Sequence, residues 1–450
     1  MKRNETLRVA IDRLTPSGNG LAVVEGRSVE VRGALPGDVV DVRILALKRH
    51  SARARLEGIV EDGIGRVDAA CGHFGQCGGC MWQNVPYGEQ CKLKAGLVAR
   101  ALESLSAPRA DDEIEFVPSP DVYFYRNKME FSFDSPPGES GCVMLGLHEK
   151  GRYDRVFDVR QCLLQSELSN RVVEHTRAFA EEHRLPVYGL KSHTGLLRYL
   201  VIRDGKQTGD LMANLVTSGE EFPMVHDYAD FITRSVPSIT SVLRSINRRS
   251  ASVATGDELE ILSGKGTLTE RIGDFVFSLS PDSFFQTNTV QARNLYDTIR
   301  SFCRPDGTQL LDLYCGTGTI GLYCSGEAGT VTGIELVPAA VQDARENALK
   351  NGVSNCRFIE GQVEKTLRDM TEKFDVVICD PPRAGIHPKA LDVLLHLRIP
   401  RMVYVSCNVN ALSSDLESLA LAGYRIGKVR AFDMSPHTPH IETVVLLEIV

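Results

Sequence analysis

The sequence predicts an α/β protein: a C-terminal parallel sheet covered by helices, preceded by a mixed α/β segment and a small N-terminal β-barrel. Three observations predict it. From about residue 275 onward, apolar runs of strand length alternate one for one with helical segments, the pattern of a parallel sheet with helices on both faces. The first 65 residues instead carry short valine-rich runs separated by Gly and Pro turns, the pattern of an antiparallel barrel of the OB type. Between them lie strand-like runs whose connections the sequence does not reveal. The expected boundaries in this chain of 450 residues are 1–65, 66–274 and 275–450.

Composition narrows the class. Hydrophobic residues make up 43% and charged residues 24%, the values of an ordinary soluble protein. The start, MKRNETLRVAIDRL, lacks the apolar stretch of a signal peptide, and no run approaches the ~18 apolar residues that span a bilayer. A cytoplasmic protein with no membrane partner is expected. The net charge of −7, from 51 Lys and Arg against 58 Asp and Glu, gives no global attraction to nucleic acid. Any nucleic-acid surface must therefore be local. Twelve cysteines in a long intracellular chain read as metal, cluster or catalytic positions rather than disulfides.

Taken in order, the barrel strands are LRVAIDRL, LAVVEG, SVEVRGALPGD, VVDVRILALKR and ARARLEGIVE. Lys48, Arg49, His50, Arg53 and Arg55 are their one basic concentration, which fits an RNA groove and a solvated strand face equally well. The run CGHFGQCGGC then brings Cys71, Cys77 and Cys80. Behind it, Leu93, Leu97, Val98 and Leu102 fall at helical spacing. In the middle segment YRNKMEFSF, LLRYLVIRD, GDLMANLVTS and DELEIL read as strands. In the last third the strands are QLLDLY, TVTGIEL, CRFIEG, FDVVICD and RMVYVSC. Helices follow GTGTIGL, cover VPAAVQDARENALKNG, and lie around 388–397 and 411–421. The final pair, YRIGKVRAFD and IETVVLLEIV, has no helix between its members, so one of them should run antiparallel. That ending is typical of class I (Rossmann-like) methyltransferases and not of nicotinamide-binding domains.

Chemistry concentrates at the strand ends of this last third. The strand ending at Asp312 runs into Gly316 and Gly318 and a helix start, where glycine allows close backbone approach to a ligand or simply a tight turn. Glu335 ends the next strand, where a carboxylate can accept hydrogen bonds from ribose hydroxyls. Asp380-Pro381-Pro382 is a combination found in many nucleic-acid methyltransferases beside the methyl donor. Arg383 follows it in place of the aromatic residue that amine methylation uses. The fifth strand delivers Ser406-Cys407-Asn408. An isolated Cys is more often a small buried hydrophobe than a nucleophile, and Cys315 and Cys379 also lie near the site. Cys315 sits in the cofactor turn and Cys379 is expected to point away, so Cys407 has the better exit position. A thiolate there has a purpose, because its addition to carbon 6 of uracil makes carbon 5 nucleophilic enough to attack a sulfonium methyl group. A base must then remove the carbon 5 proton. Glu442, which opens the last strand, is the candidate unless it is merely an exposed strand-end residue, and His440 is the runner-up.

With these residues in view, the chain resembles the RNA uracil-5 methyltransferases of the TrmA and RumA/RlmD type over nearly its whole length. SGNGLAV and VRGALPGD resemble a TRAM domain. YRNKMEFSF and HTGLLRYLVIR resemble the central domain, and DSFFQTN, DLYCGTGTIGL, CDPPRAG, SCN and PHTPHIETVVLLE the catalytic one. The resemblance implies an S-adenosylmethionine site lined by Gln286, Tyr314, Thr319, Glu335, Gln362 and Asp380, with Cys407 as nucleophile and Glu442 as general base. It also implies a [4Fe–4S] cluster on Cys71, Cys77, Cys80 and Cys162, although spacing alone does not choose Cys162 over Cys91 or Cys142. A four-thiolate zinc site is the structural alternative. The implied partner is RNA, with 23S rRNA favoured and T-loop uridine of tRNA the alternative, and no obligate protein partner. A non-catalytic RNA-binding or ribosome-assembly role is the alternative of another class. One departure stands out: the family continues SCN with Pro and a Thr shortly after, whereas Val409, Asn410 and Ala411 follow here.

Overall fold

The computed structural model describes residues 1–103, 105, 113–136 and 142–449. The chain folds into two compact units, each drawn from non-contiguous stretches. Met1–Ala70, Cys80–Ser119 and Asp380–Val450 form the first, and Cys71–Gly79 and Pro120–Cys379 the second.

In the first unit, strict alternation builds the N-terminal sheet. Along Val39–Leu47 the side chains of Val40, Val42 and Ile44 are buried, while Asp41 and Arg43 between them are half-exposed. Val29, Val31, Ala52 and Ala54 of neighbouring strands complete the same core, each buried valine contributing roughly 1.5–3 kcal/mol. The spatial order is Thr6–Ala10, Val39–Leu47, Ser51–Glu61, Arg27–Arg32, Gly20–Val24 and Arg13–Leu14. The expectation of wholly antiparallel pairing needs correction, because Arg27–Arg32 runs parallel to Ser51–Glu61. The hairpin Val39–Leu47/Ser51–Glu61 places its second arm, not its first, beside Arg27–Arg32. Of the basic run, Lys48, Arg49 and His50 are exposed at the turn of this hairpin. Arg53 lines an open groove with Arg3, Asn19, Arg32 and Leu47, and Arg55 pairs with Glu57 at 2.8 Å.

The rest of the first unit carries strands in the order Arg401–Ser406, Glu442–Ile449, Tyr424–Phe432 and Ile114–Val117. Glu442–Ile449 is antiparallel to both of its neighbours, as the missing helix between the last two strands predicts. Val444, Val445 and Leu447 are fully buried in it. The edge strand Ile114–Val117 pairs parallel with Tyr424–Phe432. Four residues of IEFV carry too little periodicity to announce it. Helix Pro388–Leu397 matches its expected place, whereas the next helix spans Val409–Leu421 and begins two residues early. The side chain of Asn408 caps it by accepting the Asn410 N–H at 3.0 Å. Val409 and Asn410, which precede the expected helix start at 411, therefore form its first turn together with Ala411. Helix Tyr87–Glu103 buries Leu97, Val98 and Leu102 as their spacing predicts, and also Gln90 and Lys94.

The second unit holds a seven-stranded sheet in the order Val156–Asp158, Met144–His148, Lys128–Asp134, Leu197–Asp204, Leu211–Thr217, Ser241–Ile246 and Glu258–Gly264. All four strands read from the middle segment are present. Leu211–Thr217 and Ser241–Ile246 pair in parallel and are buried at every residue, consistent with a sheet covered on both faces. The same unit carries the parallel strands Cys356–Glu360, Thr330–Glu335, Gln309–Leu313 and Val376–Cys379, in that spatial order. Helices Thr319–Cys324, Pro338–Lys350 and Val363–Asp369 connect them. No helix among the described residues is long and apolar enough to cross a membrane.

Candidate active site

In the second unit, the turn after Gln309–Leu313 is shaped by left-handed backbone at Tyr314, Gly316 and Gly318, with φ of 60°, 55° and 74°. The two glycines serve different ends. A Cβ on Gly318 would stand 2.8 Å from the Phe358 ring, so this glycine is needed for packing. A Cβ on Gly316 would meet nothing within 4 Å, and its face is open. The Gly316 N–H donates to Glu335 Oε2 at 3.0 Å and the Val337 N–H to Glu335 Oε1 at 2.8 Å. This pair of bonds fixes the carboxylate at the end of Thr330–Glu335, in reach of the same turn. Tyr314 and Glu335 are thus brought together. Thr319 instead shares a hydrogen bond with Tyr296 Oη at 3.0 Å, which turns its hydroxyl into the protein. Gln362 is exposed at the N-terminus of Val363–Asp369.

Gln286 is positioned by residues of the middle segment. Asn127 Nδ2 donates to the Gln286 carbonyl at 2.8 Å and to Thr289 Oγ1 at 2.9 Å. The buried guanidinium of Arg203 donates to the carbonyls of Pro281 and Ser283. Sequence reasoning named the strands that contain Asn127 and Arg203 but gave these two residues no task.

In the first unit, Ser406 pairs with Thr443 across the antiparallel strands. Continued by one residue, this register sets Cys407 opposite Glu442. Glu442 is 7% exposed, which excludes the reading of a solvated strand-end residue. Burial, and then the nearby Asp380, push its carboxyl well above the usual range, while Arg383 opposes them. Asp380 is raised by burial to about 7. Cys407 is half-buried, and its thiol is pushed up to about 11 by burial, then by Glu442 and Asp380, with Arg383 again pulling down. Asp380 and Arg383 therefore act on both Glu442 and Cys407, and Glu442 acts on Cys407. Cys315 and Cys379 are buried, leaving Cys407 the accessible thiol of the three considered. His440 is exposed and precedes the strand, so it does not share the buried face of Glu442.

The loop that bears Arg383 is tied down on two sides. Asn408 Nδ2 donates to the Arg383 carbonyl at 2.9 Å. Asp415, buried on helix Val409–Leu421, accepts from Tyr404 Oη at 2.6 Å and from the Ile386 N–H at 2.9 Å. The sequence reading used Arg383 only to argue against amine methylation. Its place straight after two prolines was the signal for a larger part, as the cation acting on both Cys407 and Glu442. A carboxylate held in this way is a stronger base than one in water once ionised, and the cation beside it favours the ionised form.

The cysteine run is divided between the units. In the second, the loop Cys71–Gly79 lies on the hairpin Met144–His148/Val156–Asp158, with Gly78 N–H donating to the His148 carbonyl at 3.0 Å and Lys150 N–H to the Gln76 carbonyl at 2.7 Å. The Cys162 thiol is raised by burial and then by Cys77 and Cys71, so these three lie within electrostatic reach of one another. In the first unit, Gln83 Nε2 donates to Cys80 Sγ at 3.3 Å. Cys91 faces a different set, Tyr87, Asp433 and Lys94. Among the described residues no three His, Cys, Asp or Glu side chains are gathered closely enough to hold a metal ion as they stand.

The chain is similar to known proteins. Residues 261–450 match the tRNA (Uracil-5-)-methyltransferase family, and residues 1–56 match the TRAM domain. An uncharacterized RNA methyltransferase of Caldanaerobacter subterraneus is 38% identical over 457 residues, covering 100% of both chains. One from Chlorobaculum tepidum is 39% identical over 94% of this chain and 92% of its own. The solved structure of Pyrococcus abyssi tRNA (uracil-54, C5)-methyltransferase in complex with S-adenosyl-L-homocysteine is similar at a TM-score of 0.78 and 30% identity, over 98% of this chain and 100% of that one.

Proposed function

The chain belongs to the RNA uracil-5 methyltransferase family with an N-terminal TRAM domain, an S-adenosylmethionine-dependent family, and on that premise we propose that it methylates carbon 5 of a uridine in 23S rRNA through a covalent adduct at Cys407. The observation that carries this reading is the register that sets half-buried Cys407 opposite buried Glu442, with Asp380 and Arg383 acting on both.

S-adenosylmethionine, when bound, supplies an electrophilic methyl group on its sulfonium. Glu335 would hold the ribose, with Tyr314, Gln286 and Asp380 lining the rest of the site and Thr319 and Gln362 at its margin. The two backbone bonds that already fix the Glu335 carboxylate support this assignment. Cys407, a thiol at rest, gives its proton to water as the flipped uracil enters. Arg383 steadies the thiolate, which adds to carbon 6. Once carbon 5 carries the methyl group, Glu442 takes its proton and Cys407 is expelled.

The modules would be residues 1–65 for RNA binding, 66–274 for the cysteine site and central domain, and 275–450 for catalysis, working in the cytoplasm. The groove beside Arg53 and Arg32 would meet phosphates locally, despite the acidic chain as a whole. Cys71, Cys77, Cys80 and Cys162 would hold a [4Fe–4S] cluster. The action of Cys77 and Cys71 on the Cys162 thiol, and the N–H donor on Cys80 Sγ, support it. Zinc without acid-labile sulfide in purified protein would overturn it. The second reading of the substrate is T-loop uridine in tRNA, favoured by the solved relative that acts on uracil 54 of tRNA. Comparing nucleoside maps of rRNA and tRNA from deletion and parent cells decides between them.

The mechanism is tested with 5-fluorouridine RNA, which has no carbon 5 proton to lose. A stable RNA–protein complex should form with the wild type and not with Cys407→Ala. No complex with a confirmed substrate RNA would refute the covalent route.

A further inference from the structure

Ahead of Glu442 the chain runs through a turn, residues 433–440, buried except at Ser435 and His440, and one face of helix Tyr87–Glu103 grips it. Tyr87, Gln90 and Lys94 are spaced i, i+3 and i+7, so they form a single stripe. Lys94 Nζ donates to Asp433 Oδ1 at 2.5 Å and to the Ser435 carbonyl at 3.0 Å. Tyr87 Oη donates to Asp433 Oδ2 at 3.0 Å. Both side chains of the Lys94–Asp433 pair are fully buried. Gln90 holds His437 from two sides: Gln90 Oε1 accepts the His437 N–H at 2.9 Å, and Gln90 Nε2 donates to His437 Nδ1 at 3.2 Å. The same amide also reaches the carbonyls of Trp82 and Val85. His437 is itself in left-handed backbone, φ 67°, and its carbonyl accepts the N–H groups of Met81 and Trp82.

A buried ion pair is a poor source of stability, since desolvation offsets most of its attraction, and apolar residues of equal size would hold two elements together as well. What directed polar contacts add is one fixed geometry. Here they fix a strained turn that ends two residues before Glu442, the group whose placement to within about an ångström decides whether a proton on carbon 5 can be taken.

We propose that Tyr87, Gln90 and Lys94 are positioning residues for Glu442: through Asp433 and His437 they set where the base stands and so govern release of the methylated product, not formation of the adduct. The inference rests on the uracil-5 reading for its chemical consequence and on contacts within one unit for its geometry.

The test uses full-length protein with Gln90→Met and Lys94→Met, and Leu97→Ala on the apolar stripe of the same helix as a control for fold. Three quantities are compared: complex formation with 5-fluorouridine RNA, turnover of ordinary RNA, and amide hydrogen exchange over residues 436–443. The stripe variants should form the 5-fluorouridine complex at close to the wild-type rate, lose turnover on the order of tenfold to a hundredfold, and accumulate adduct on ordinary RNA. Their exchange over 436–443 should rise above that of Leu97→Ala at matched stability. Equal loss of complex formation and turnover, or unchanged exchange in this segment, would overturn the proposal. Should the wild type form no complex, the uracil-5 reading fails on that result, and the exchange arm still decides whether the stripe fixes the turn.

Discussion

Glu335 and Glu442 stand at strand ends in different units, one accepting two backbone N–H bonds at the surface of a turn, the other buried against Asp380. Under the proposed mechanism one of these carboxylates holds and the other reacts. A carboxylate that must bind hydroxyls is best fixed by backbone donors that keep it aimed. A carboxylate that must take a proton is best withdrawn from water, where its proton affinity rises. Glu335 ends its strand and Glu442 opens one, and their surroundings separate them further.

The comparison breaks first at Glu442. Glu442→Gln should lower turnover by about 10²–10⁴-fold while adduct with ordinary uridine RNA accumulates; normal turnover would remove Glu442 from the mechanism. The same variant should gain stability at about pH 8. A carboxyl raised in the folded state contributes stability that is complete below its unfolded pKa of about 4 and is lost as pH rises through the folded value. Melting curves at about pH 4 and pH 8 should show wild type and variant drawing apart only at the higher pH.

Glu335→Ala should act on the other side of the comparison. Loss of hydrogen bonds to a charged acceptor, each worth about 1.5–3 kcal/mol, should weaken S-adenosylmethionine binding tenfold or more by calorimetry, with Cys407 alkylation unchanged. The smallest effect should come from Asp380→Asn. Removing one of the charges that raise the Cys407 thiol should quicken its alkylation a few-fold at about pH 8, read by peptide mass spectrometry, while Arg383→Gln slows it. In the wild type the rate should climb about tenfold per pH unit until the thiol titrates near 11. The opposite ordering of the two variants would show that these charges do not act on Cys407.

Much of this was legible in the sequence because local pattern carries it. Alternating Val40, Val42 and Ile44, the one-for-one strands and helices after residue 275, and the absent helix before Glu442–Ile449 all follow from periodicity. Cys407 and Glu442 could be named from chemistry and resemblance. What was not legible depends on contacts far apart in the chain. The apolar stripe of helix Tyr87–Glu103 was read, but Gln90 and Lys94 on the same helix resembled surface residues until Asp433 and His437, more than 300 residues on, came to meet them. The parallel pairing of Arg27–Arg32 depends on which hairpin arm inserts, which no side-chain period encodes. The early start of helix Val409–Leu421 turns on Asn408, whose side-chain oxygen caps the helix while its amide nitrogen holds the Arg383 carbonyl.

The strand Glu442–Ile449 lies between Arg401–Ser406 and Tyr424–Phe432 although it is made after both. On a ribosome, the two earlier strands emerge with no partner between them and cannot close the sheet until the last one threads into place. Cys407 is therefore synthesised before the two strands that follow it in this sheet and before Glu442, the proposed base. A chain interrupted ahead of residue 442 lacks both the middle strand and that proposed proton acceptor, and it offers open strand edges to proteases. Assembly of the proposed catalytic pair waits on the strand Glu442–Ile449.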